Sequence, residues 1–279
     1  MTLPSDQAVA ADAAEPVPVS SVPASIPSAG KFHLATDAEM RQQARQWFDR
    51  VGRFNIDRWP DEVRALSMPT VLIPVDVARF CDCFDGCDDI YMDELAASID
   101  AVTGWDCHFV RLTTRSPKDA SYPVAPITCA GKQAVLWLAT SMRALDDTVM
   151  MKYAGEPLFI AVRQAIPSIR PEREIRCFAK DGEMIAVSRY DYLNAPAFEW
   201  DSAETLKVAR EFYGAHLKRH YDNVVFDLAL GAGDLGGPIL IELNPYGLSD
   251  PCCFRSYEAI ESEGGFLAEA LEARSADAA

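Results

Sequence analysis

The sequence predicts an α+β fold, in which strand pairs and helices follow one another without a regular strand–helix–strand alternation. Three observations carry this reading. Apolar runs at 174–179 and 184–189 flank Asp181-Gly182, a pair suited to the tight turn of a hairpin. Two further apolar runs, 224–230 and 239–243, flank a Gly-rich stretch at 231–237. Between and before these pairs, apolar residues recur at helical spacing.

The elements follow in order. Residues 1–30 are rich in Ala, Pro, Ser and Val, and such a segment cannot bury enough apolar surface to order itself, so a disordered tail is expected there. One folded domain should span 31–274, with 275–279 as a disordered C-terminus. Thr36 followed by Glu39 has the form of a capping box, and a helix should run through Met40, Ala44, Trp47 and Phe48. Residues 71–75 read as a short buried strand, and 92–102 as a second helix. The strand-like 108–112 leads into a polar loop at 113–120. A helix is expected over 141–151 and a strand over 158–164. After the first hairpin, 202–220 reads as an amphipathic helix with Leu206, Ala209, Phe212, Tyr213 and Leu217 inward. The second hairpin follows, and a short helix at 265–274 closes the domain.

Composition narrows the function. At 279 residues, one large domain or two compact subdomains is expected. No apolar run approaches the roughly 20 residues that span a bilayer, and the N-terminus lacks the basic and apolar regions of a signal peptide. A soluble, cytoplasmic protein without membrane contact is the expectation. The formal net charge of −16 argues against an extended nucleic-acid surface, which needs Lys and Arg, while leaving room for a local basic pocket. Of eight cysteines, Cys81, Cys83 and Cys87 cluster without a second Cys or His pair at zinc spacing, so reduced thiols are expected and a zinc site is the alternative.

The chemistry concentrates on the second hairpin. Residues two apart share a strand face, so Glu242 and Asn244 point the same way, and Asp227 reaches that face if the runs pair. Two carboxylates and an amide oxygen in an apolar setting call for compensation, and a hard divalent cation such as Mg²⁺ supplies it. Basic residues accompany them. Arg111 stands near a strand end before the loop that carries Lys118; Arg163 lies within an apolar strand; Arg176 alternates with Glu174 and Phe178 on one strand face. These cations pair either with carboxylates of the chain, Arg163 with Asp227 for example, or with the phosphates of a nucleotide. The chain has no G-x-x-x-x-G-K-[ST] loop, and no G-x-G-x-x-G follows a strand, which points away from P-loop and Rossmann sites toward one built on sheet faces.

Four blocks in this order resemble the cell division cycle protein 123 family, a divergent branch of the ATP-grasp fold. They are Arg58-Trp59-Pro60 with the strand from Pro69 to Pro74; Phe109-Val110-Arg111-Leu112 through Ser116-Pro117-Lys118-Asp119-Ala120; Glu174-Ile175-Arg176-Cys177-Phe178 with Ile185-Ala186-Val187-Ser188; and Phe226-Asp227 with Ile241-Glu242-Leu243-Asn244-Pro245-Tyr246-Gly247. The resemblance spans roughly residues 45–256 and implies an ATP-grasp-like domain in which two α+β subdomains sandwich ATP. It implies Asp227, Glu242 and Asn244 as Mg²⁺ ligands, and Arg111, Lys118, Arg163, Glu174 and Arg176 as the rest of the nucleotide site. Arg111 stands where the family usually has Lys, and Glu242 where it usually has Asp.

The resemblance implies two roles. One is an ATP-dependent ligase that joins a carboxylate to an amine or similar acceptor, a small molecule or a peptide, as in the wider ATP-grasp fold. The other is an ATP-binding chaperone that assembles the gamma subunit of translation initiation factor two with its partners. A third possibility, a hairpin salt-bridged internally that binds nothing, stays open on the residues alone.

Overall fold

The computed structural model describes residues 36–121, 125–190, 198–231 and 237–268. The expected tails at 1–30 and 275–279 lie outside these residues, as does most of the Gly-rich stretch. Helix α1 (Asp37–Val51) begins one residue after Thr36. Two 3₁₀ turns, Gly52–Phe54 and Ile56–Arg58, lead to the one-turn α2 (Asp61–Arg64). Then come β1 (Thr70–Val75), α3 (Val77–Phe84), α4 (Asp89–Asp100), β2 (His108–Leu112), the one-turn α5 (Lys118–Ser121), β3 (Ile127–Thr128), α6 (Gly131–Thr140), α7 (Met142–Ala154) and β4 (Leu158–Gln164). The remainder is β5 (Glu174–Lys180), β6 (Glu183–Arg189), α8 (Ser202–Phe212), β7 (Val224–Ala229), β8 (Ile239–Asn244), α9 (Tyr257–Glu263) and β9 (Gly265–Leu267).

The α+β class is borne out, as two sheets each backed by helices. The first sheet has the order β1-β4-β2-β3 and is antiparallel throughout. Val110, Leu112, Ile160 and Val162 point from it into a core with Phe80, Leu95, Ile99, Leu138 and Met151 of the helices. Arg111 and Arg163 lie on its other face, because Arg111 opposes Ala161 and Arg163 opposes Phe109. The second sheet has the order β8-β7-β5-β6-β9. Its Ile175, Cys177, Phe226 and Leu228 pack against Ala209 and Phe212 of α8. A parallel bridge from Ser67 to Leu240 ties the chain just before β1 to the edge strand β8.

Local chemistry accounts for the element ends. Ser141 caps α7 by accepting from the Ala144 N–H at 3.1 Å, and Gly155 ends it at φ 74°. Asp181 and Gly182 both have positive φ, 52° and 76°, as the two-residue turn between β5 and β6 requires. The expected helix over 202–220 is α-helical only to Phe212 and widens into a π turn at Tyr213–Leu217, yet Phe212, Tyr213 and Leu217 are buried as expected.

Two expectations are corrected. Residues 265–267 form a strand, not the start of a helix. Gly264 and Gly265 adopt φ of 59° and 77°, which stops α9, and β9 then takes a parallel place beside β6. The rest of that expected helix falls largely outside the described residues. The cysteines are not all thiols, since Cys107 and Cys129 are joined as a disulfide between the ends of β2 and β3. Cys81, Cys83 and Cys87 are free, and Cys83 is buried on α3 with its Sγ 3.4 Å from the Arg79 carbonyl oxygen. Helices α3 and α6 fall on segments that received no prediction.

Candidate functional site

The second sheet lays three charged side chains in one row. Arg176 on β5 opposes Asp227 on β7, and Asp227 opposes Glu242 on β8. Directly opposed residues share a face, so the hairpin brings Asp227 and Glu242 together as the sequence predicted. Asn244, two residues on, shares the face of Glu242. Arg176 grips Asp227 at both carboxylate oxygens, Nε to Oδ1 and Nη2 to Oδ2, each at 2.8 Å, and its Nη1 donates to the Asp250 carbonyl at 3.1 Å. Arg111 crosses from the first sheet to Glu242, Nη2 to Oε1 at 2.7 Å. The pairing of cations with carboxylates that the residues left open is therefore made, but with different partners: Arg176 takes Asp227, and Arg111 takes Glu242.

Among the described residues, Arg163 makes no ion pair within 4.0 Å of a carboxylate. Fully buried, it donates from Nη1 to the Ile241 carbonyl at 2.9 Å and from Nη2 to the Ser67 hydroxyl at 2.6 Å. Burial, reinforced by the like charge of Arg111, pushes its guanidinium down to about 9. Arg163 thus bolts the first sheet to β8. Glu174 sits half-buried at the start of β5, opposite Ala229.

Lys118, Arg176, Glu242 and Asn244 line a single cleft of about 740 Å³, with Arg111 and Asp227 held behind it by their ion pairs. Arg163 and Glu174 are not on its wall. Lys118 hydrogen-bonds the Tyr190 hydroxyl, and the Arg176 guanidinium carbon lies 4.8 Å from the centre of the Tyr190 ring, so both cations lie against this aromatic. Tyr190 escaped the sequence reading because it ends an apolar strand and looks like core. Arg115 and Asp147 were missed as well. Asp147 is almost wholly buried on α7 and pairs with Arg115 at 3.2 Å. Its position within a helix of mixed charge carried no signal of the cleft.

The two facing carboxylates differ. Burial would raise Glu242, but Arg111, then Lys118 and Arg176, outweigh it and hold its carboxyl at about 2. Burial is the larger influence on Asp227 and raises it against the Arg176 hydrogen bonds, and the Glu242 charge pushes the same way. Asp147 is also raised by burial against Arg115. Among the described residues, no three or more His, Cys, Asp and Glu side chains converge as a metal cluster. The candidate donor set is smaller: two carboxylates and the Asn244 amide oxygen, while the buried Asn244 Nδ2, a hydrogen-bond donor, has no partner among the described residues.

The sequence model of the family described as D123 matches residues 92–277, two thirds of the chain. The chain belongs to the D123 family. This is the cell division cycle protein 123 resemblance read in the sequence, although its first block, at 58–74, precedes the matched residues. Among solved structures, Cdc123 from Schizosaccharomyces pombe is similar to the D123 chain at 16% identity and a TM-score of 0.59, over 79% of this chain and 96% of that one. A C-terminally truncated form of the same protein is similar at 18% identity and a TM-score of 0.59, over 80% and 98%. D-alanine–D-alanine ligase from Helicobacter pylori is similar at 12% identity and a TM-score of 0.39, over 69% and 51%. No curated protein matches. At these identities the Cdc123 likeness speaks to the fold. No described helix is long and apolar enough to cross a membrane.

Proposed function

We propose that the cleft binds Mg²⁺-ATP, with Glu242 and Asn244 toward the cation and Lys118 and Arg176 toward the phosphates. One observation carries this: a chain of net charge −16 brings Lys118 and Arg176 to a cleft wall that also bears a carboxylate held ionised and the Asn244 side chain. The donor set suits a hard divalent cation, and Asp227 joins it when Arg176 turns from its carboxylate toward phosphate. Bound Mg²⁺ would neutralise phosphate charge and orient the nucleotide. Tyr190 lies against the two phosphate-facing cations.

Membership of the D123 family favours the chaperone role, with the gamma subunit of translation initiation factor two as the partner that the family resemblance implies. The ligase role is the second reading, favoured by a cleft that extends beyond the proposed nucleotide site. Pull-down of that subunit, and ADP release with pooled carboxylates and amines, separate the two.

Nucleotide binding is tested by thermal shift with Mg²⁺-ATP. At about 100 times Kd the ligand adds about 2.7 kcal/mol, and no shift at such excess refutes the reading. Asn244→Ala is the diagnostic variant, expected to keep the unliganded stability and lose the Mg²⁺-dependent shift. Asp227→Ala is a poor probe, because it strands the buried Arg176 and costs about 3–5 kcal/mol in folding alone.

A further inference from the structure

Lys118 differs from Arg111 and Arg176 in how it is held. Each arginine closes on a carboxylate. Lys118 makes no ion pair within 4.0 Å among the described residues, and the charges of Glu242 and Asp227 act on it from beyond that distance. An aromatic side chain holds its ammonium instead: Nζ donates to the Tyr190 hydroxyl and lies 4.7 Å from the centre of the ring. An ammonium has three N–H donors and no acceptor, so the hydroxyl takes one N–H and leaves two.

Lys118 is an exposed residue at the start of the one-turn α5, where a lysine side chain would otherwise keep many rotamers. The two backbones that carry the pair are each fastened. The Asp119 carboxylate accepts from the Ser141 hydroxyl at 2.5 Å and from the Arg143 N–H at 3.2 Å, which ties α5 to the start of α7. Tyr190, the residue after β6, donates its N–H to the Glu174 carbonyl at 3.0 Å, which ties it to the strand that bears Arg176. The Arg176 guanidinium carbon lies 4.8 Å from the centre of the same ring. One ring therefore contacts a cation from the loop after the first sheet's β2 and a cation from the second sheet.

We propose that Tyr190 is a positioning residue: its hydroxyl fixes the Lys118 ammonium on the cleft wall, with two N–H groups left for the phosphates of the nucleotide. The proposal rests on the nucleotide reading for what the ammonium faces, and on the geometry alone for what holds it. A cation fixed before the ligand arrives loses less freedom on binding, so the hydroxyl contributes affinity through Lys118.

The test titrates a non-hydrolysable ATP analogue with Mg²⁺ into the full chain by calorimetry, in a double-mutant cycle of Tyr190→Phe and Lys118→Met. Tyr190→Phe keeps the ring and removes only the hydroxyl. It weakens the analogue by about fivefold or more and leaves the thermal midpoint of the unliganded protein unchanged; in the Lys118→Met background the same change costs under about twofold. A merely structural role would weaken both backgrounds alike. The proposal is overturned by a Tyr190→Phe affinity within about twofold of the parent, or by a loss that is undiminished in the Lys118→Met background. A second readout needs no nucleotide. Trace labelling with acetic anhydride, read by mass spectrometry, modifies Lys118 about threefold faster or more in Tyr190→Phe, relative to the other lysines, because the ammonium loses a hydrogen bond that favours its charged form. Unchanged labelling overturns the hold of Tyr190 on Lys118. If the parent chain binds no analogue, the nucleotide reading falls, and the labelling alone decides whether Tyr190 fixes Lys118.

Discussion

Replacing Glu242 by Gln removes the charge that faces Arg111 while keeping the shape of the side chain. The carboxyl is displaced from 4.5 to about 2. At about 1.4 kcal/mol for each pKa unit, its surroundings favour the ionised form by about 3 kcal/mol. The Arg111 side chain is 3% exposed, so the variant leaves a guanidinium buried beside neutral groups. Glu242→Gln should therefore lose about 3 kcal/mol at pH 7, read by urea unfolding with unchanged slope. The pH dependence makes the test specific. A carboxyl depressed in the folded state contributes fully above its unfolded value and loses that contribution as pH falls toward the folded one. The difference between the two proteins should persist from pH 7 to about 5 and fall to about half by pH 3. A deficit under about 1 kcal/mol at pH 7, or one that stays constant down to pH 3, would refute the reasoning that Arg111 and its neighbours set this carboxylate.

Two further outcomes follow from packing and covalent structure. Cys107 and Cys129 close a loop with a sequence separation of 22, so Cys107→Ala should cost about 3 kcal/mol in non-reducing buffer and nothing relative to the parent under dithiothreitol; equal stability in both buffers would show that the bond contributes nothing. At Gly131 an added Cβ would lie 2.1 Å from the Ala96 carbonyl oxygen, a backbone atom that cannot turn aside, and Gly131→Ala should lower stability by about 1–3 kcal/mol as α6 is pushed from α4. An unchanged thermal midpoint for that variant would mean the two helices are not in such contact.

Much of the site was legible because strand periodicity is local. Glu242 and Asn244 share a face for any chain in extended conformation, and Asp181-Gly182 specifies its turn by backbone preference alone. Register then followed from the apolar pattern, which brought Asp227 level with Glu242. Helices α3 and α6 were not legible. α3 is eight residues long, too short for its apolar face to repeat along the chain, while α6 carries few polar interruptions and starts at a glycine whose N–H is held by Asp100 across 31 positions of sequence. Asp147 and Tyr190 looked like a helix surface and a strand end. Their place at the cleft depends on what other elements set beside them.

The sequence by itself determined the hairpins, the α+β class and the strand face on which the carboxylates stand, because each of these is written in residue spacing. Only the tertiary structure decided which cation each carboxylate takes. Arg111 reaches Glu242 and Arg163 reaches a carbonyl and a hydroxyl because the first sheet meets the second at its edge strand β8, and Arg176 closes on Asp227 because β5 pairs with β7 in that register. Ion pairing is settled by distance and burial, and neither is encoded in the spacing of residues along one strand.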